Sequence, residues 1–261
     1  MSLTRSRMVV AVWVPLIACG GATEEAPSGE PAATPSSAET PSPTPVPEAV
    51  TFRASDGVRV AGRLFGDGPV GVVLGHSIDG DQTEWWNVAE VVVDAGHASL
   101  AIDFRGYCPG DEAGCSEDGS TGDAWRDLLA GAKFLRGRGV RDIVLIGASM
   151  GGTAAVVAAS KARPSLSGVI TLSAPTACCG MEVDRSIVDA VGAPMLFIAG
   201  RFDGEAPRSA RALARWAASS GESLILGTGE HGTDLFGLST PPIERRTTES
   251  ILEFLEDVAN R

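Results

Sequence analysis

Ser149 lies in Gly147-Ala148-Ser149-Met150-Gly151, a G-x-S-x-G segment followed by Gly152. A serine hydroxyl is inert at its free pKa and becomes a nucleophile only beside a base. His231, in Gly229-Glu230-His231-Gly232, is the side chain suited to take that proton near neutral pH. Asp203, in Phe202-Asp203-Gly204, could fix the imidazole tautomer and stabilise the imidazolium. Glu205 stands two residues further on and is open as the alternative acid. Nucleophile, base and acid together are the requirements of acyl transfer through a covalent acyl-enzyme, which water then hydrolyses. The other two histidines carry less: His97 follows Gly96 at the start of an apolar run and reads as structural, and no histidine has ligand spacing with a Cys pair. No metal and no cofactor is expected; no Walker lysine is present.

These residues need elements to hold them. Val58–Phe65 alternates and reads as an antiparallel or edge strand. Continuous apolar runs follow at Val70–Leu74, Ala98–Ile102, Ile143–Ile146, Val169–Leu172, Met195–Ala199 and Leu224–Leu226. Runs of that length suit strands buried on both faces, as in parallel sheets. Helical stretches alternate with them: Glu84–Ala95, Asp123–Arg136, Met150–Lys161, Ser186–Val191, Pro207–Ser219 and Glu244–Val258. The pattern predicts an α/β fold with a doubly wound, mostly parallel sheet of about eight strands and helices on both faces. Each candidate residue directly follows a strand, at the edge where such sheets bind ligands. Ser173 to Asp184 is a short loop, which leaves no room for a large cap. Trp85 and Trp86 open a helix and read as core and pocket wall; Asp79 and Asp81 read as a solvated acidic loop.

The G-x-S-x-G between strand and helix, the order Ser149, Asp203, His231, the segment Val72-Val-Leu-Gly-His76-Ser77-Ile78 and Ala101-Ile-Asp-Phe-Arg-Gly106 together resemble the α/β-hydrolase superfamily, near its small, lidless dienelactone-hydrolase-like and esterase members. The resemblance spans essentially the whole globular region. It implies that the backbone N–H groups of Met150 and Ile78 form the oxyanion site and that His76 shapes its loop rather than acting as base. Ser77 departs from the glycine usual there. The reading is a serine hydrolase acting on small-molecule, short-chain esters; a catalytically silent member of the fold serving as an envelope binding module is the alternative. Oligomeric state and substrate identity stay open.

The first 49 residues differ in character. Arg5 and Arg7 precede an apolar run from Met8 to Ala18, a secretory signal in charge, length and order. Leu16-Ile17-Ala18-Cys19 resembles a bacterial lipobox, which implies cleavage after 18, lipid on Cys19, and a place in the cell envelope outside the cytoplasm, at the outer membrane in a two-membrane cell. Residues 20–49 hold seven Pro, five Glu and no aromatic residue, so they cannot bury enough apolar surface to fold; residues 19–49 read as a lipidated cysteine and disordered tether, and 50–261 as the catalytic domain. The net charge of −12 argues against nucleic acid as a partner. Outside the cytoplasm, Cys108, Cys115, Cys178 and Cys179 suggest two disulfides, with three connectivities open.

Overall fold

The computed structural model describes residues 47–108, 114–237 and 241–261, all within one compact unit. The signal, Cys19 and most of the expected tether lie outside the described residues.

Eight strands form one sheet in the order β1-β2-β4-β3-β5-β6-β9-β10: β1 (Glu48–Arg53), β2 (Arg59–Phe65), β3 (Val70–Gly75), β4 (Ala98–Ile102), β5 (Asp142–Ala148), β6 (Gly168–Leu172), β9 (Met195–Gly200) and β10 (Gly221–Leu226). Between β6 and β9 the short strands β7 (Ala177–Cys178) and β8 (Met181–Glu182) make a separate hairpin. From β4 across to β10 every pairing is parallel, whereas β2 runs antiparallel to both β1 and β4. The helices are α1 (Trp86–Asp94), α2 (Ala124–Gly137), α3 (Met150–Lys161), α4 (Arg185–Asp189), α5 (Ala206–Ala217) and α6 (Pro241–Ala259).

The continuous apolar runs have the expected cause. In β5, Ile143 and Leu145 pack on the face covered by α2 to α5, while Val144 and Ile146 pack on the face covered by α1 and α6. All four are fully buried, each worth about 1.5–3 kcal/mol in apolar transfer. Helix α3 is buried on nearly every side because its residues are small; a Cβ at Gly152 would stand 2.7 Å from that of Ala174. Among the described residues no helix is long and apolar enough to cross a membrane.

Two elements correct the sequence reading. The chain enters the sheet at Glu48 rather than at Val50, because β1 completes an edge: Phe52 stacks on Phe134 at 5.2 Å and Glu48 receives two hydrogen bonds from Arg138. Strand β2 is therefore internal, and of the two readings of Val58–Phe65 it takes the antiparallel one, pairing so with both β1 and β4. The stretch Ser173 to Asp184, read as a plain loop, carries the β7–β8 hairpin, with the Val183 N–H donating to Thr176 at its base.

Chain direction sets where a site can form. From β3 the chain moves outward to β4 and then returns to β5 on the other side of β3. The carboxyl ends of β3 and β5 therefore flank the switch in winding, and the loops that leave them diverge over a crevice.

Candidate active site

Ser149 sits in that crevice, at the turn from β5 into α3. Its backbone takes φ 50° and ψ −113°, a strained conformation for a residue with a Cβ. The turn holds because its surroundings leave no alternative. The Ser149 N–H extends the sheet by donating to Leu172 at 2.8 Å, and its carbonyl accepts from Gly152 and Thr153. A Cβ at Gly147 would collide with the Gly151 carbonyl, and one at Gly151 with the Gly75 carbonyl. Glycine at both positions lets the strand, the turn and the end of β3 close on one another.

Asp203 and His231 arrive from the loops after β9 and β10. The His231 Nδ1–H donates to both carboxylate oxygens of Asp203, at 2.9 and 3.0 Å, which leaves Nε2 as the acceptor. Asp203 is largely buried, with 12% of its side chain exposed, and His231 is half exposed. Glu205 instead pairs with Arg208 at the surface. The two loops are zipped together, since Phe202 donates its N–H to Thr228 and Arg201 to Leu226. Gly232, at φ 57°, donates its N–H to Ser173 Oγ at 3.0 Å, and a Cβ there would meet Ala148 and Ser77. The residue after His231 thus lies against the residue before Ser149. Among the described residues Ser149 Oγ has no hydrogen-bond partner; catalytic contacts are often long before substrate closes the site.

His76 is fully buried and takes another role. Its Nε2 accepts from the Phe104 N–H at 3.0 Å, so the proton resides on Nδ1, which donates to the Ser77 carbonyl at 2.6 Å. Burial lowers its pKa to about 4, so it stays neutral at physiological pH. The Ser77 carbonyl and the Ile78 N–H belong to one trans peptide and point opposite ways. By holding the carbonyl toward Phe104, His76 turns the Ile78 N–H away from it. Among the described residues, neither that N–H nor that of Met150, at the start of α3, meets a carbonyl.

Two supports of this loop were not found from sequence. Glu84 accepts the Ser77 N–H at 2.7 Å, and burial raises its pKa. Its signal was legible: Asp81-x-x-Glu84 is a capping-box pattern, and Asp81 does cap the turn by accepting from Thr83 at 2.8 Å. Glu84 reaches past the cap to the loop because Gln82 ties the turn to the buried Asp103. Tyr107, the second support, donates its hydroxyl to the Ile78 carbonyl at 2.7 Å.

Other candidates fall elsewhere. Trp85 is fully buried in the core against Phe236, and Trp86, partly buried, packs on Phe65 at its margin with Arg63 over its ring. His97 is buried at the start of β4 with its pKa lowered by desolvation. Cys108 faces Cys115 and Cys178 faces Cys179, sulfur to sulfur; the connectivities that would join the two loops are not the ones adopted. Among the described residues no cluster of His, Cys, Asp and Glu could hold a metal ion. Among the described residues the exposed large apolar side chains are Ile78, in the loop after β3, and Phe202, next to Asp203.

Residues 72–256 match the model of the alpha/beta hydrolase fold family, and the chain belongs to that family. A stretch of 99 residues is 37% identical to 2-succinyl-6-hydroxy-2,4-cyclohexadiene-1-carboxylate synthase of Shigella dysenteriae; this covers 38% of the chain, which spans only about a third (36%) of that relative's length. Among solved structures, a Pyrococcus furiosus esterase superimposes with a TM-score of 0.68 at 17% identity, over 81% of this chain and 92% of its own. A dienelactone hydrolase from Anabaena variabilis gives 0.65 at 19%, over 82% and 98%. A thermophilic esterase from Thermogutta terrifontis gives 0.64 at 19%, over 81% and 99%. At such identities these three likenesses establish the shared fold.

Proposed function

We propose that the protein is a serine hydrolase of short-chain carboxylic esters, working through an acyl-enzyme. One observation carries the reading: a strained, partly buried serine at the β5–α3 turn shares its sheet edge with a histidine whose Nδ1–H is held by a largely buried aspartate. In this mechanism Ser149 Oγ attacks the ester carbonyl as His231 Nε2 takes its proton. Asp203 holds the tautomer and stabilises the imidazolium. The oxyanion develops toward the free N–H groups of Met150 and Ile78, each such donor being worth about 3–4 kcal/mol in comparable sites. His231 returns its proton to the departing alcohol, and water, activated by the same base, releases the acid.

The esterase and dienelactone hydrolase among the structural neighbours favour this chemistry. Preference for short acyl groups follows from the small β7–β8 hairpin standing where a lid could insert. With His231 half exposed, each acyl methylene left wet forgoes about 0.8 kcal/mol of transfer energy. The N-terminal sequence adds a location: lipid on Cys19 and a proline-rich tether would hold the domain at an envelope membrane. The deciding experiment is covalent labelling of Ser149 by a fluorophosphonate, with turnover of p-nitrophenyl esters from acetate to palmitate. Wild-type labelling and turnover, both abolished in Ser149→Ala, is the expected result. A folded wild type that neither labels nor turns over would assign the fold to binding instead.

A further inference from the structure

We infer that Tyr107 is a positioning residue for the oxyanion site, its hydroxyl setting the loop that presents the Ile78 N–H. The inference rests on the hydrolase reading and adds a residue to it.

The oxyanion loop is gripped at three backbone atoms. Glu84 holds the Ser77 N–H, His76 holds the Ser77 carbonyl, and Tyr107 holds the Ile78 carbonyl at 2.7 Å. The first two fix the peptide that ends in the Ile78 N–H. Beyond Ile78 the chain turns through the exposed Asp79, and the Gly80 N–H closes that turn on the Ser77 carbonyl at 3.2 Å. The turn leaves the Ile78 carbonyl itself unheld, and Tyr107 holds it. Without its hydroxyl the Ile78 carbonyl turns to water, and the residue that must present an N–H to the substrate relies on the long Gly80 contact alone on that side.

Tyr107 is itself built as a strut. Its N–H donates to Phe104 and its carbonyl accepts from Ser116, both at 3.0 Å, and the next residue, Cys108, is paired to Cys115. Its ring packs edge-on against His76 at 4.5 Å, so the two side chains that hold consecutive carbonyls also hold each other. Burial and the nearby Asp79 carboxylate push the phenol pKa up, which keeps the hydroxyl a donor across the working pH range. The ring alone could serve packing. The hydroxyl, aimed at the carbonyl of the exposed Ile78, is explained by the loop.

Tyr107→Phe removes the hydroxyl and keeps the ring; Tyr107→Leu removes both. Deleting a whole oxyanion donor costs about 10²–10³ in kcat, so misplacing one should cost about tenfold. We expect Tyr107→Phe to lower kcat on p-nitrophenyl acetate by about tenfold with KM within twofold, because substrate does not yet carry the oxyanion charge. An alkyl trifluoromethyl ketone supplies the second readout. Ser149 Oγ adds to its carbonyl, His231 accepts the proton, and the resulting hemiketal oxyanion occupies the same site. Its affinity should fall by the same factor as kcat. Loss of wild-type turnover in Ser149→Ala is the control for the underlying mechanism. With that control met, a Tyr107→Phe enzyme within twofold of wild type in both kcat and ketone affinity, with only Tyr107→Leu impaired, would reduce Tyr107 to packing and overturn the inference while leaving the hydrolase intact.

Discussion

Acidification should loosen this fold through His76. The imidazole is fully buried, with both ring nitrogens committed: Nδ1–H to the Ser77 carbonyl and Nε2 to the Phe104 N–H. Protonating Nε2 would aim a second donor at an existing donor, and no carboxylate stands among its hydrogen-bond partners to accept it. The pKa accordingly drops from the ordinary 6.5 to about 4. For a base the sign follows directly. Below 6.5 the unfolded chain binds a proton that the folded chain refuses, so stability is complete above 6.5 and is lost as pH falls toward 4. At 1.36 kcal/mol per unit the whole window amounts to about 3 kcal/mol, and the upper part, down to pH ~5, to about 2 kcal/mol. Against a typical net stability of about 5–15 kcal/mol that is a large share. The assay is urea unfolding of wild type and His76→Gln at several pH values between 7 and 5. Glutamine can still donate and accept but does not titrate. The variant should be less stable at pH 7, through lost packing, and the gap should narrow by about 2 kcal/mol at pH 5. Taking the difference between the two proteins cancels His97, whose pKa burial also lowers, and the carboxylates. A gap that stays constant across this range would mean that His76 titrates normally when folded, and the account of the oxyanion loop built on a neutral His76 would fail.

Asp203→Asn should reduce kcat/KM on a p-nitrophenyl ester by about 10³–10⁴, since an amide facing Nδ1 favours the wrong tautomer; Glu205→Gln, which breaks only a surface pair with Arg208, should leave the rate unchanged, and the reverse ranking would reassign the acid. Gly151→Ala drives a Cβ into the Gly75 carbonyl, and should cost about 1–3 kcal/mol by thermal or urea melts together with fluorophosphonate labelling of Ser149. Non-reducing peptide mapping should return Cys108 with Cys115 and Cys178 with Cys179. Replacing the first pair by serines should cost about 2.5 kcal/mol in the chain-entropy picture of an eight-residue loop.

Most of the sheet was legible because a strand buried on both faces must be apolar along nearly all its length. Strands β3, β4, β5, β6 and β9 all obey that rule, and each lies within a residue or two of its apolar run. Edge elements escape it. In β1, Glu48, Ala49 and Thr51 face solvent, and only Val50 is buried, so the strand looked like the end of a polar tether. It pairs with the neighbouring β2, but the side chains that pack on it, Phe134 and Arg138, lie more than 80 residues further along the chain, where no local pattern could announce them. The β7–β8 hairpin has two residues per strand, too few for any periodicity.

The candidate site divides along a similar line. Ser149, Asp203 and His231 could be read because the proposed chemistry falls on side chains, and chemistry restricts residue type. The geometry also separates Asp203 from Glu205, which the spacing alone left open, by seating one beneath the imidazole and the other on Arg208. The proposed oxyanion loop is different in kind. Its working parts are backbone N–H groups, which every residue but proline has, so the residue carrying one leaves no mark in the sequence. What leaves a mark is the set of side chains that hold that backbone still. Here they come from three places: His76 within the loop, Glu84 from the turn before α1, and Tyr107 from the strap after β4. Each has a simpler explanation in isolation, as a buried histidine, a capping glutamate and a packed tyrosine. Only their convergence on Ser77 and Ile78 distinguishes them. A site built from main chain is therefore encoded in its supports, and the substitutions most informative about it are those that release the Ile78 N–H without touching Ser149, Asp203 or His231.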